Sequence, residues 1–76
     1  MTSVTVNINS IDKVKRFVSA ITSFDNDFDL VCDRYVIDAK SIMGIFSLDL
    51  SKAIDLNIHD DDTDEILKVL APYIVE

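Results

Sequence analysis

The chain has 76 residues, 49% of them hydrophobic and 28% charged, with 14 acidic against 7 basic side chains and a net charge of −7. This length holds one domain, 1–76, and the apolar share is high enough for it to fold. The acidic balance excludes nucleic-acid binding by phosphate neutralisation, and no apolar run approaches the roughly 20 residues that span a bilayer.

Met1-Thr2-Ser3-Val4 lacks a basic region followed by an apolar stretch, so no signal peptide is expected. One cysteine, Cys32, cannot form an internal disulfide, and the expected location is the reducing cytoplasm.

Val4, Val6 and Ile8 alternate with Thr5, Asn7 and Asn9, the period of a strand with one face buried. Ser10 then offers a helix N-cap, because its hydroxyl accepts from an unpaired backbone N–H. Ile11, Val14, Phe17, Val18 and Ile21 recur at helical spacing and predict a helix over about 11–22 with that stripe inward. Asp25-Asn26-Asp27 reads as a turn, since these side chains bond nearby backbone and tolerate left-handed geometry. Phe28, Leu30 and Cys32 alternate with Asp29, Val31 and Asp33 in a second strand, which places Cys32 in the core. Asp33-Arg34 turns the chain into a third strand, Tyr35-Val36-Ile37, without the Asn-Gly or Asp-Gly signal that would specify the turn type.

Ser41 is a second N-cap candidate, before the apolar block Ile42 to Leu48. Periodicity alone does not separate helix from strand there, and the cap favours a short helix. Ile54, Leu56 and Ile58 alternate with Asp55, Asn57 and His59 in a fourth strand. Asp62 with Glu65 three residues on resembles a capping box, with Asp62 as the cap. Ile66, Leu67, Val69, Leu70 and Tyr73 form the stripe of a last helix, whose final turn Pro72 weakens. The order is β-α-β-β-α-β-α, an α+β open-faced sandwich with helices on one face and polar residues on the other.

Lys40-Ser41-Ile42-Met43-Gly44, followed by Ser47-Leu48, resembles the regulatory-serine segment of HPr. HPr is the histidine-containing phosphocarrier of bacterial sugar phosphotransferase systems (PTS). The resemblance runs from Val4 to about Leu70 and implies a four-stranded antiparallel sheet with three helices on one face. The family carries its phosphoryl group on a histidine in a His-Ala-Arg-Pro motif. Counting back from Ser41, those positions fall on Ser10, Ile11, Asp12 and Lys13, so the histidine, the arginine and the proline are absent. A carrier needs the reactive P–N bond of a phosphohistidine; a phosphate ester on Ser10 is too stable to pass on. Asp12 in the arginine's place repels a phosphoryl group, and nearby Lys13, Lys15 and Arg16 do not replace a nucleophile. His59, the single histidine, ends the fourth strand, which the family fold places at the edge away from Ser10. The expectation is a family member without catalytic residues or carrier activity.

By the same resemblance Ser41 matches the serine that HPr kinase phosphorylates in Gram-positive relatives, and a phosphate at a helix N-terminus meets free N–H groups. The alternative is a cap alone, worth about 1 kcal/mol. Ile42, Met43 and Phe46 match residues that are partly exposed in relatives and pack against partner proteins, joined by Lys13, Arg16 and Ala20 on the first helix. The alternative is core packing, expected for some of Ile45, Leu48 and Leu50. Asp60-Asp61-Asp62 lacks the spacing and glycine of a calcium loop and reads as a solvated turn, so no metal is expected. Gly44 is the only glycine, so no phosphate-cradling loop exists, and neither cofactor nor enzymatic activity is expected.

The resemblance therefore implies a regulatory protein-binding module, with HPr kinase and transcriptional or metabolic regulators as partners. The alternatives are a degenerate phosphorelay component that docks on PTS proteins, and a scaffolding or oligomerisation domain.

Overall fold

A computed structural model describes residues 1–75. The elements in chain order are β1 (Thr2–Val6), α1 (Ile11–Thr22), β2 (Phe28–Cys32), β3 (Tyr35–Asp38), α2 (Ile42–Phe46), β4 (Ile54–Ile58) and α3 (Asp64–Leu70), then a 3₁₀ turn at Ala71–Tyr73. The strands form one sheet in the order β1-β4-β2-β3, with every neighbouring pair antiparallel.

Strict alternation decides which face is buried. Val4 stands opposite Leu56, Leu56 opposite Leu30, and Leu30 opposite Ile37, one apolar row crossing the sheet beneath the helices. Val14, Phe17 and Ile21 of α1, Ile45 of α2, and Ile66 and Leu70 of α3 are buried with this layer. The other face carries the row Ser3, Asn57, Asp29, Asp38 and the row Thr5, Asp55, Val31, Val36. This is the open-faced sandwich expected from the alternation and the helical stripes.

Some boundaries differ from the sequence pattern. The β1 ladder stops at Val6, opposite the first residue of β4, and Ile8 is fully buried in the connection to α1. Beyond that point Asn7 N–H donates to the Tyr73 carbonyl at 2.7 Å and Val75 N–H to the Thr5 carbonyl at 2.9 Å. The C-terminal segment thus covers the outer edge of β1. Ile11 is 62% exposed, against its place in the expected α1 stripe. As the first helical residue it lies at the end of the stripe, beyond the reach of the sheet.

Cys32 is half-buried against the core rather than enclosed by it, at the end of β2. The expected cap at Asp62 is displaced by one residue. Thr63 is the N-cap of α3, its side chain is buried and makes no capping hydrogen bond, and its carbonyl accepts from Leu67 N–H. Asp62 is held in the preceding turn, where its N–H donates to Asp60 Oδ1 at 3.1 Å. Val69 is 41% exposed and outside the α3 stripe, and Pro72 sits in the 3₁₀ turn after the helix has ended at Leu70.

Candidate functional site

Two serines mark the helix starts on the covered side of the sheet. Ser10 holds extended geometry, φ −146°, and its Oγ accepts from Lys13 N–H at 3.2 Å. Ser41 does the same for α2, its Oγ accepting from Gly44 N–H at 3.3 Å, while its carbonyl accepts from Ile45 N–H. Both hydroxyls belong to exposed residues. The approach to Ser41 is rigidly built: Ser41 N–H donates to the Asp38 carbonyl, and Lys40 N–H donates to Asp38 Oδ1 at 2.9 Å. The Lys40 ammonium donates to the Phe24 carbonyl at 2.7 Å and lies 5.6 Å from the centre of the Phe28 ring, which anchors the loop to the core. Gly44 suits this turn because a side-chain carbon there would meet Ser41 Oγ at 3.3 Å and Ile37 Cδ1 at 3.5 Å.

α1 and α2 pack side by side. On α2, Met43 is 79% and Phe46 42% exposed, whereas Ile42 is half-buried and Ile45 fully buried. Leu48 and Leu50 pack partly against the core. On α1, Asp12, Lys13 and Arg16 are exposed and Ala20 is half-buried. The sequence pattern had missed Ile11, whose exposure adds an apolar side chain beside Ser10.

The other face gathers a different set. His59 Nε2 lies 2.6 Å from Asp29 Oδ2, and Asp27, Phe28, Asp29, Asp38 and His59 line a shallow depression of about 390 Å³. Thr2 stands opposite Ile58, so His59 lies at the beginning of β1 and Ser10 beyond its end. The acidic run makes turn contacts: Asp60 Oδ2 accepts from Asn26 Nδ2 at 2.6 Å, and Asp61 pairs with the N-terminal ammonium at 2.7 Å. Donation from the Asp62 N–H and from Asn26 holds the Asp60 carboxyl below its ordinary range. Among the described residues no three histidine, cysteine or carboxylate side chains are grouped to hold a metal ion.

A family model described as PTS HPr component phosphorylation site matches residues 4–75. The chain belongs to the HPr family. Among solved structures, HPr-C-His from Thermoanaerobacter tengcongensis is 30% identical with a TM-score of 0.78, covering 95% of this chain and 89% of that one. The phosphocarrier protein HPr from Bacillus anthracis str. Ames is 29% identical with a TM-score of 0.70, covering 96% and 93%. A comparison with curated proteins returned no match. The HPr family is one of phosphocarrier proteins rather than catalytic enzymes, and no helix among the described residues is long and apolar enough to cross a membrane.

Proposed function

We propose that this HPr-family chain is a regulatory protein-binding module that passes on no phosphoryl group and is controlled through phosphorylation of Ser41. The observation that carries this reading is the separation of its histidine from α1. Ser10, not a histidine, caps α1, while His59 pairs with Asp29 at the far end of β1. A serine ester at Ser10 lacks the reactivity that onward transfer needs, and Asp12 in the first turn repels a phosphoryl group.

Ser41 suits modification because it is exposed and its loop is anchored without using its hydroxyl proton. In the kinase reaction its Oγ bonds to the terminal phosphorus of ATP as the bond from that phosphorus to ADP breaks, and the hydroxyl proton passes to a base of the kinase. The new phosphate oxygens then take over as acceptors for the free N–H groups of α2, so the modification adds negative charge beside Met43 without unfolding the domain.

The partner surface comprises Ile42, Met43 and Phe46 with Lys13, Arg16 and Ala20, and Ile11 extends it. Exposed Met43 and Phe46 provide adaptable apolar contact, and the α1 cations set a charge preference. The same surface supports a second reading, a degenerate relay component that docks on PTS proteins without carrying phosphate. Co-purification with wild type and with the double variant Met43→Ser, Phe46→Ser separates the two. Transcriptional or metabolic regulators lost with the variant support the first reading, and relay proteins lost with it support the second. Retention of every partner by the variant overturns the surface assignment.

A further inference from the structure

The two edges of the sheet are treated differently. The C-terminal segment covers β1 through the Tyr73 carbonyl and the Val75 N–H. At the other edge no described strand pairs with β3, and Tyr35 and Val36 are 66% and 64% exposed. An uncovered edge with apolar side chains is a template for strand addition.

The open face beside this edge has a strong charge bias. Asp29 and Asp38 stand directly opposite each other across β2 and β3, and Asp55 is on the same face next to Val31. Like charges in that relation destabilise a sheet pair. The basic side chains lie elsewhere or are engaged: Lys13, Lys15 and Arg16 on α1, Lys68 on α3, Lys40 on the Phe24 carbonyl, and Lys52 near Asp49. Arg34 is at the hairpin turn, and His59, which lies against Asp29, is the single basic ring lining the depression with Asp27 and Asp38.

We propose that this edge and face bind an extended basic segment of a partner protein, added as a fifth strand beside β3. Period-two geometry dictates the register: Val36 and Asp38 point to the same face two residues apart. The incoming strand therefore sets an apolar side chain beside Val36 and an arginine or lysine beside Asp38, with its charged end in the depression. This surface lies on the other side of the sheet from the one on α1 and α2, and the two meet at Asp38, whose carbonyl also accepts from Ser41 N–H.

The test is a titration of the isotopically labelled chain, followed by amide NMR, with a short blocked peptide in which valine and arginine alternate with threonine. A control peptide carries glutamate for arginine. The proposal expects arginine-peptide shifts confined to 28–38 and 55–59, slowed exchange at β3 amides, and no binding of the control. Asp38→Asn keeps Oδ1 available to Lys40 N–H, so the fold is retained while affinity falls about tenfold, the loss of one charge pair. Equal binding of both peptides, shifts centred on α1 and α2, no shifts up to the solubility of the peptide, or unchanged affinity in Asp38→Asn each overturn it.

Discussion

His59 Nε2 lies 2.6 Å from Asp29 Oδ2 on the open face of the sheet, at the beginning of β1, whereas Ser10 follows its end. The side chains are 43% and 34% exposed, so solvent screens the pair and it contributes at most about 1 kcal/mol. His59→Ala should leave the fold unchanged and shift the urea midpoint only slightly, with Ser41 as good a kinase substrate as before. A large loss of stability would show that the pair holds β2 and β4 together.

Under the proposed function, restoring the family motif on α1 should introduce carrier activity. Wild type incubated with the phosphorylating proteins of a sugar phosphotransferase system should gain no mass. The variant Ser10→His, Ile11→Ala, Asp12→Arg, Lys13→Pro restores the family motif and should gain one acid-labile phosphoryl group. Loss of the Ser10 cap costs it about 1 kcal/mol of stability. An acid-labile phosphoryl group on the wild type would contradict the proposed lack of carrier activity.

Asp33 is the one non-glycine residue with left-handed backbone among those described, φ 54°. It turns the chain between Cys32 and Tyr35, which stand opposite each other. Aspartate tolerates that region better than most side chains and a β-branched residue tolerates it worst. Asp33→Val should cost about 1–2 kcal/mol by chemical denaturation, and Asp33→Gly should be neutral or slightly stabilising.

Phe17 is fully buried and meets the Tyr73 ring edge-on, with centroids 5.8 Å apart and planes at 83°. It joins α1 to the 3₁₀ turn that leads the C-terminal segment onto β1. Phe17→Ala should cost about 3–5 kcal/mol, a large part of the stability of so small a domain. Because Tyr73 loses its support, hydrogen exchange at the Asn7 and Val75 amides should rise more than at β2.

Asp60 predicts a specific acid response. Its folded-state value is depressed by the Asp62 N–H and Asn26. The stabilisation it brings is present above its ordinary value of 3.8 and is lost as pH falls through the lower folded-state value. Asp60→Asn keeps an acceptor for Asp62 but not for Asn26, and should flatten the dependence of stability on pH below about 4. An unchanged acid slope would contradict this.

Much of the fold was legible because period-two and helical patterns directly report which face is buried. The α1 boundaries, the Asp33-Arg34 turn and the short α2 helix after Ser41 follow from local rules. The α3 cap was not legible: Asp62 and Thr63 are both good cap types, and the helix begins after Thr63, whose side chain makes no capping bond. The cover over β1 depends on contacts between Val6 and Ile74, far apart in the chain, which no local pattern encodes. Of the candidate site, Ser41 and Met43 lie in the quoted motif and Phe46 one helical turn on, and all three are exposed. The depression beside His59 was not, because it is made by residues of β2 and β3 and by Asp27 and His59, next to the ends of β2 and β4, which meet only in the folded sheet.

Control of the module depends on Ser41. Intact mass should be measured after incubation with an HPr kinase and ATP, with Ser41→Ala in parallel and circular dichroism to confirm both folds. The predicted result is one added phosphoryl group on wild type and none on the variant. No addition to a folded wild type, or equal addition to the variant, would contradict the account and leave Ser41 as the cap of α2.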